Sequence, residues 1–458
     1  MSQSYRTEND SMGPVQVPAD ALYGAQTQRA VANFPISKLR FNRPFLRALG
    51  IVKSAAARAN GQLGTLPSTT AAAIARAAEE IVDGVHDSQF VVDVFQTGSG
   101  TSTNMNANEV IAARASAITG QPVHPNDQVN RSQSSNDVFP TALHIAVTET
   151  AHQLLLPSMD ILHKALAQKS RQFWDILKIG RTHLQDAVPM RLGQEFGGYA
   201  RQIELSKDRV RKALEDLLEL PLGGTAVGSG LNAPPEFAKV AIDLIAQRTG
   251  HPFRETQDHF EAQAARDGAA FVSGALKTYA LALTKIANDI RWLGSGPRCG
   301  LGELRLPEVQ PGSSIMPGKV NPVIAESLLM VCAQVIGHDA SISWCVAAGQ
   351  FELNTMMPLI AYDLLESIDL LSAASRNFAE QCVAGLEADE VRLRDSIERS
   401  LALGTALTPE IGYDRAAELA KEAYSSGKSI REVAREHSGI PDTHLAELFD
   451  PWNMLGSR

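Results

Sequence analysis

The sequence predicts a mainly α-helical protein whose central part is a bundle of long helices. Three intervals of the 458-residue chain, 158–188, 253–296 and 359–408, contain no proline and are rich in Ala, Leu, Ile and Glu. Proline inside a helix removes a backbone donor and clashes with the preceding turn, so intervals without it permit long helices. Strand signals are sparse and short, and VVDVFQ (91–96) and ILKIG (176–180) are the better candidates.

The second proline-free interval has the clearest helical period. Its apolar residues recur at three- and four-residue steps, which predicts a helix of about 35 residues, or about 50 Å. They are Phe260, Ala264, Ala270, Phe271, Ala275, Tyr279, Leu283, Ile286 and Ile290. The segment 268–289 is rich in small residues, which leave too little side-chain bulk for an isolated bundle to bury well. We therefore expect a homo-oligomer.

The chain divides by pattern into three predicted domains. Residues 1–133 form an N-terminal mixed, mostly helical domain, with helical stretches at 43–63 and 69–82. Residues 134–390 form the central domain of long helices. In the last part, 391–458, the segment LGTALTPEIG breaks the long helix and two short amphipathic helices follow, which predicts a small helical domain.

Composition and charge exclude several classes of protein. The chain is 44% hydrophobic and 20% charged, as in a globular protein, and its net charge of −9 argues against binding nucleic acid. Four cysteines without a CxxC pair fit a reducing compartment. The N-terminus lacks the apolar core of a targeting signal and we find no apolar run of 18 residues, so we expect a cytoplasmic protein without membrane contact.

Four polar, glycine-rich segments interrupt the helical pattern, and each is expected to precede a helix. They are QTGSGTSTNMNANE (96–109), VHPNDQVNRSQSSNDVFP (123–140), GRTHLQDAVP (180–189) and PGSSIMPGKVNPVIAE (311–326). Helix N-termini favour anions, because their free N–H groups and the helix dipole both attract negative charge. If the four segments converge, they form a pocket for a small polyanion.

The fourth segment is the strongest candidate. Gly312 and Gly318 allow a loop to wrap a ligand closely, while a pair of serines and Lys319 offer hydroxyls and a positive charge. Asn321 is expected to cap the following helix, with proline in its first turn. An ordinary capped helix would explain Asn321 but not the serines together with the lysine.

In the third segment, His183 lies on a predicted loop, outside any apolar stripe. A lone histidine is more often structural than catalytic, but Glu326 would raise the basicity of its ring if the two meet. The HPND sequence at 124–127 is equally consistent with a plain turn. His144, His152 and His163 do not have the spacing of a chelating pair, and GSGT lacks the phosphate-loop pattern, so neither a metal ion nor a nucleotide cofactor is expected.

The motif GSSIMPGKVNP (312–322) resembles the signature of the fumarase/aspartase superfamily. The resemblance covers essentially the whole chain, and the other three segments match the family's blocks in order. HPND, SSND (134–137) and GRTH make the chain most similar to the class II, iron-independent fumarate hydratases. Aspartases usually carry Gln in place of His183 and Thr in place of Ser135.

This resemblance implies the reversible anti addition of water to fumarate, giving (S)-malate through an aci-carboxylate, as in the tricarboxylic acid cycle. Ser313 would be the base that removes the C3 proton of malate. His183, supported by Glu326, would act on the C2 hydroxyl or hold the water. The residues that would bind the substrate are Ser99, Gly100, Thr101, Ser134, Ser135, Asn136, Thr182, Ser314, Lys319, Val320 and Asn321.

The resemblance also implies an assembly and a second site. The long central helices would form a twenty-helix core in a D2 homotetramer, with each active site shared by three subunits. His124, Pro125, Asn126 and Asp127 would form a second, non-catalytic dicarboxylate site. The alternatives are another superfamily lyase such as aspartate ammonia-lyase, a non-catalytic relative, and a helical scaffold for partner proteins.

Overall fold

The protein is mainly helical, as the sequence predicts. The structure, a computed structural model, describes residues 4–455. Its first helices are α1 (Ala25–Asn33), α2 (Arg43–Gln62), α3 (Ser68–Val82), α4 (Thr101–Thr119), α5 (Ser135–Thr150), α6 (Leu156–Gln172), α7 (Leu192–Glu215), α8 (Phe237–Thr249) and α9 (His259–Ala264). The remaining helices are α10 (Asp267–Leu293), α11 (Val323–Ala347), α12 (Met357–Gln381), α13 (Glu390–Arg399), α14 (Thr408–Ile411), α15 (Tyr413–Ser426), α16 (Ile430–His437) and α17 (Asp442–Leu448).

The strands form two-stranded sheets only, within the described residues. The strands are β1 (Tyr5–Asp10), β2 (Gly13–Pro18), β3 (Leu177–Thr182), β4 (Gln185–Arg191), β5 (Glu219–Leu220), β6 (Arg254–Glu255), β7 (Leu304–Arg305) and β8 (Glu387–Ala388). Strands β1 and β2, β3 and β4, and β7 and β8 pair antiparallel, whereas β5 and β6 pair parallel.

The contacts divide the chain into two compact units. Unit 1 comprises residues up to Pro157 together with Ser206–Ala280 and Cys332–Ser372. Unit 2 comprises Ser158–Leu205, Leu281–Val331 and the chain from Ala373 onward. The boundaries between these ranges fall within or beside the long helices α6, α7, α10, α11 and α12.

Unit 1 has α2 at its centre. This helix packs against α3, α5 and α8, and its middle turns are buried on nearly all sides. The ring of Phe45 stacks on Phe41 with centroids 4.2 Å apart and lies 4.8 Å from the ring of Phe139 on α5. This aromatic cluster holds α5 against α2, and so fixes the N-terminus of α5, where part of the candidate site lies.

Unit 2 contains a smaller apolar core near the C-terminus. Buried residues from α13, α15, α16, α17 and the segment between α13 and α14 pack together there, and Ile179 of β3 joins them. Its members include Ile397, Leu403, Leu407, Leu419, Ile430, Val433 and Phe449. This packing anchors one end of the β3–β4 hairpin on a rigid base.

The long helices are shorter than the proline-free intervals that predict them. Helix α10 has 27 residues and α12 has 25, and the interval 158–188 contains most of α6, then β3 and the first part of β4. Ala265 interrupts the second interval, because its extended backbone separates α9 from α10. The absence of proline permits a helix without requiring one.

Of the two predicted strands, one is confirmed and one is wrong. The segment 176–180 lies largely in β3, but 91–96 contains no strand. The buried carboxylate of Asp93 accepts hydrogen bonds from the backbone N–H groups of Ser37 and Phe95. These bonds bend the chain where VVDVFQ would otherwise extend.

Candidate active site

His183 lies at the tip of the β3–β4 hairpin, in unit 2. Thr182 and Gln185 form the last pair of the ladder, so His183 and Leu184 make a two-residue turn. Both have positive φ, 57° and 60°, as in a type I′ turn. The segment 180–189 therefore forms the turn and much of the hairpin, and α7 begins at Leu192, shortly after it, as predicted.

This turn is strained, because side chains other than Asn, Asp and Gly rarely adopt positive φ. A non-glycine residue held there costs about 1 kcal/mol or more. Leu184 also leaves 73% of its side chain exposed, so its packing does not compensate the strain. Strain of this kind occurs at functional sites, which favours a functional role for His183.

Buried charges hold the base of the hairpin in place. Lys178, 2% exposed, donates to Glu195 at 2.9 Å. Arg181 donates to the fully buried Glu303 at 3.1 Å. Burial opposes the charge of Arg181, but the hydrogen bond and charge of Glu303 outweigh it and raise the pKa of Arg181. Both pairs fix the direction in which the hairpin projects His183.

A cleft of about 600 Å³ in unit 2 is lined by His183, Leu184 and the charged residues at the base of the hairpin. Neither Ser313 nor Lys319 lines this cleft. Among residues 4–455, Glu326 makes no hydrogen bond or ion pair with His183 through its side chain. Within one chain, the cleft at His183 is therefore formed without Ser313, Lys319 or Glu326.

The loop 311–322 holds Ser313 in a tight turn. Its Oγ accepts hydrogen bonds from the backbone N–H groups of Ile315 at 3.2 Å and Met316 at 3.0 Å. A Cβ atom at Gly312 would lie 2.0 Å from the carbonyl oxygen of Lys319, so only glycine fits where the two arms of the loop meet. Ser314, Lys319 and Val320 are exposed on this loop.

Asn321 closes the loop instead of capping α11. Its side-chain amide donates to the carbonyl oxygen of Gly312, and α11 begins at Val323. The expected helix cap is therefore wrong, because the asparagine side chain turns back across the loop. Glu326 lies in the first turn of α11 and is partly exposed.

In unit 1, the segment that precedes α4 is fixed by two glycines. A Cβ atom at Gly98 would lie 1.7 Å from the carbonyl oxygen of Thr355, and one at Gly100 would lie 2.0 Å from the ring of Phe139. Gly100 also has a φ of 75° at the N-terminus of α4. Ser99 between them is partly exposed, and Thr101 begins the helix.

The N-terminus of α5 is built by a capping box. Ser134 caps the helix and its N–H donates to Asp137 at 2.9 Å. Ser135 accepts a hydrogen bond from Asn104 at 3.0 Å and contacts the hydroxyl of Thr101. The N-termini of α4 and α5 are thus joined through their first polar side chains.

Asn136, by contrast, turns away from this junction. Its side-chain amide donates to the carbonyl oxygen of Ala226 at 2.8 Å, and its backbone N–H donates to Ser134. In this chain it therefore braces the loop after β5 against the start of α5.

Asp137 is fully buried beneath the same helix end. It accepts backbone hydrogen bonds from Gly223 at 2.9 Å and Thr225 at 3.0 Å in addition to that from Ser134. Burial raises the pKa of Asp137 to about 6, although these three hydrogen bonds oppose the shift.

A cavity of about 530 Å³ in unit 1 joins two of the predicted sets of residues. Thr101, Ser134 and Ser135 line it, and so do Asn126 and Asp127 of the predicted second site. Polar side chains dominate its wall, and their hydroxyl and amide groups can donate hydrogen bonds to a small anion.

His124 itself caps a short π-helical turn, Pro125–Val129. Its Nδ1 accepts hydrogen bonds from the backbone N–H groups of Asn126 at 3.3 Å and Asp127 at 3.1 Å. The HPND sequence is therefore an ordered turn with a histidine cap.

Comparison with known proteins identifies the family. A family model described as "Lyase" matches residues 13–337, and one described as "Fumarase C C-terminus" matches residues 403–456. Fumarate hydratase class II from Mycobacterium tuberculosis is 56% identical over 98% of this chain and 95% of its own length. The chain belongs to the class II fumarate hydratase family.

Other members agree in sequence and in fold. Fumarate hydratase class II from Halobacterium salinarum is 54% identical over 99% of this chain and 98% of its own length. The crystal structure of the class II fumarase from Schistosoma mansoni matches with a TM-score of 0.96 and 40% identity, covering 98% of this chain and 99% of that one. The family predicted from the sequence is confirmed.

Family membership also explains the most apolar helix. By length and composition alone, α11 is the one helix among residues 4–455 that could cross a membrane. In a soluble enzyme of this family it is a core helix. Several of its apolar residues, including Met330 and Trp344, are exposed in a single chain.

The sequence interpretation missed several residues of the unit 1 cavity. Asn104, Asn130 and Gln133 line it, and Lys53 donates to two of them from behind. A signal was present for Asn104, since asparagine is a poor helix former and the run TNMNANE places three of them in the first turns of α4. For Lys53 no local signal exists, because only the fold brings it to the cavity.

Proposed function

We propose that this protein catalyses the reversible anti addition of water to fumarate, giving (S)-malate. It is then a carbon–oxygen lyase, fumarate hydratase (EC 4.2.1.2), and serves the tricarboxylic acid cycle in the cytoplasm. The single observation that carries the proposal is the loop 311–322, in which two backbone N–H groups point at Ser313 Oγ in a chain that matches class II fumarate hydratases over nearly its full length.

Ser313 is the base that removes the C3 proton of malate. A serine hydroxyl is a weak base in water, but hydrogen bonds to its oxygen favour the ionised form. The N–H groups of Ile315 and Met316 supply two such bonds. The electron pair of the C3–H bond moves into the adjacent carboxylate, which becomes a doubly charged aci-carboxylate.

Donors from the same loop stabilise that charge. Lys319 is exposed and forms no ion pair among the described residues, so its ammonium is available to an anion. Ser314, Val320 and Asn321 bind the carboxylates beside it. A donor aimed at developing charge contributes about 3–4 kcal/mol in comparable sites.

His183, with Thr182 at the end of β3, acts at the C2 hydroxyl. The hydroxyl leaves as water when a proton is delivered to it, and in the reverse direction the same group takes a proton from the attacking water. The strained turn and the buried ion pairs beneath it hold the imidazole in place. Glu326 supports the imidazole in the assembled site.

The wall at the N-termini of α4 and α5 binds the substrate's other polar groups. Its members are Ser99, Gly100, Thr101, Ser134, Ser135 and Asn136. Hydroxyls and helix N–H groups suit carboxylates, and two helix dipoles add positive potential there. Asn126 and Asp127 in the same cavity, with His124 and Pro125, form a second dicarboxylate site that takes no part in the chemistry.

We also propose a D2 homotetramer in which three subunits contribute to each active site. Exposed apolar side chains on α10 and α11 support it, including Trp292 (56% exposed), Met330 (69%) and Trp344 (76%). Helices of the segment 134–390, the central domain of the proposed three, pack there into a twenty-helix core. This assembly brings residues 182–183 and the loop 311–322 of different subunits to one substrate.

Deuterium labelling tests the proposed reaction. Fumarate incubated with the protein in heavy water is expected to give malate with deuterium at one C3 position only, in the configuration of anti addition, because a fixed base faces one side of the double bond. Proton NMR of the product reads this from the coupling between C2–H and the remaining C3–H. Malate labelled equally in both configurations, or no malate, would contradict the proposal.

A further inference from the structure

Behind the wall of the unit 1 cavity lies a lysine that has no carboxylate partner. Lys53 on α2 is 0% exposed. Its Nζ donates to Asn130 Oδ1 and to Gln133 Oε1, each at 3.0 Å, and both acceptors are neutral. Within the described residues Lys53 forms no ion pair, so its charge is not neutralised by direct contact.

The two acceptors connect this ammonium to the cavity. Asn130 and Gln133 both line it. Asn130 Oδ1 also accepts hydrogen bonds from the amides of Asn104 at 3.2 Å and Asn108 at 3.1 Å, and the Asn104 amide donates to Ser135. A single layer of neutral side chains therefore separates Lys53 from the space beside Ser135.

Keeping an ammonium in this position costs free energy of folding. Burial lowers the pKa of Lys53 to about 7, and the charge of Asp137 only partly opposes the shift. A lysine whose pKa is lowered on folding destabilises the folded chain below that pKa, and the penalty disappears as the pH rises toward 10.5. An apolar side chain of similar length would avoid the penalty. The stability of the folded chain therefore does not explain the presence of a lysine at position 53.

We propose that Lys53 is a positioning residue that prepares the cavity wall for a dicarboxylate. Its ammonium fixes Asn130 and Gln133, and through this neutral layer it provides positive potential in a chain whose net charge is −9. Neutral side chains screen a buried charge far less than water does, so a dianion in the cavity interacts with it. The inference rests on the proposed function, because it assumes that the cavity holds the dicarboxylate substrate.

The direct test replaces Lys53 by methionine, which has a similar length and no charge. Lys53→Met is expected to raise KM for malate and for fumarate about tenfold while kcat changes less than about threefold. Its melting temperature stays equal to that of the wild type or rises. Active wild-type enzyme in the same assay keeps the proposed function separate from this inference.

Lys169→Met is the matched control. Lys169 is also buried, 6% exposed, and donates to neutral acceptors, the carbonyl oxygen of Leu386 at 2.7 Å and Gln172 at 2.9 Å. It lines neither of the two cavities described above. Its replacement should leave KM unchanged.

A comparison of inhibitors separates charge from shape. Succinate carries two carboxylates, whereas succinamate, its monoamide, has nearly the same shape and one charge. Lys53→Met should weaken inhibition by succinate several times more than inhibition by succinamate, because the lost potential acts on each charge. Equal weakening of both inhibitors would mean that Lys53 only shapes the wall, and would overturn the proposal.

Two further results would also overturn it. One is an unchanged KM in Lys53→Met. The other is a melting temperature more than about 10 °C below that of the wild type in both Lys53→Met and Lys53→Gln, since glutamine can still donate a hydrogen bond to Asn130 or Gln133. That outcome would make Lys53 a residue of the fold alone.

Discussion

Backbone N–H groups donate hydrogen bonds to the hydroxyl oxygen of Ser313, and such bonds favour its ionised form. The N–H groups of Ile315 and Met316 both point at Oγ, and the loop is exposed, so substrate can reach it. The motif alone suggested this serine, but the two donors become visible only in the folded loop. The proposed chemistry at this residue can be tested by removing one oxygen atom.

Ser313→Ala is expected to lower kcat for malate by a factor of about 10³ or more, because no other group takes the C3 proton. The melting temperature should change little, since Oγ only accepts hydrogen bonds in an exposed loop. Steady-state kinetics and thermal unfolding measure both. Ser314→Ala, the control in the same loop, should raise KM more than it lowers kcat. Near-normal kcat in Ser313→Ala would remove this residue as the base.

His183 lies in the strained hairpin turn, so its substitution tests both its role in catalysis and the strain of the turn. His183→Asn should lower kcat by a factor of about 10² or more, because the amide cannot transfer a proton near neutral pH. The same variant should melt at the wild-type temperature or higher, since asparagine tolerates positive φ better than histidine.

Leu184→Gly is the matched change at the other central position of the turn. It relieves backbone strain without altering the imidazole, and turnover should stay close to that of the wild type. A mild kinetic effect in His183→Asn would restrict His183 to positioning substrate. A large loss of stability in His183→Asn would contradict the interpretation of the turn as strained.

Among the elements of secondary structure, the short turn Pro125–Val129 tests whether the HPND segment takes part in the reaction. His124→Asn should keep kcat and KM within about twofold of the wild type, because asparagine also caps helix N-termini. His124→Ala, which removes the acceptor, should destabilise the turn by about 1 kcal/mol and still turn over normally. A tenfold loss of kcat in either variant would place His124 in the catalytic site.

The helices near residues 43–63 and 69–82 and the hairpin strand near 176–180 could be predicted, since their periodicity or composition agrees with their final packing. The segment 91–96 could not, because the partner of Asp93 is Ser37, far away in the sequence. The loop of Ser313 was predicted by motif, whereas its N–H donors and the role of Asn321 depend on loop geometry. Asn130, Gln133 and Lys53 were missed for the same reason, since only the fold brings α2 against the connection between Val129 and Ser134.

At the scale of the whole molecule, exposed apolar helix faces are the main feature that one chain does not explain. On α11, Met330, Ala333, Gly337, Ala340 and Trp344 are all exposed and recur at three- and four-residue steps. Such a stripe of small and apolar residues fits against another helix and is unfavourable in water.

The division of the chain into three domains stays a prediction.

Trp344→Glu is expected to dissociate the proposed tetramer, because it places a charge where two apolar faces would meet. Light scattering coupled to size-exclusion chromatography measures the mass, and turnover should fall with it if three subunits share each site. Tyr424→Glu, at an aromatic residue that is 80% exposed on α15, is the control and should leave mass and turnover unchanged. A tetrameric, fully active Trp344→Glu would contradict the proposed interface.

The proposed hydratase activity is tested most directly by the ultraviolet absorbance of the fumarate double bond after the chelator-treated protein is mixed with L-malate, with L-aspartate in a parallel sample. We expect absorbance to rise with malate and to stay flat with aspartate, and the chelator to make no difference. A rise with aspartate alone would identify an ammonia-lyase and remove the proposed role of His183. No rise with either substrate would contradict the assignment of a fumarate hydratase.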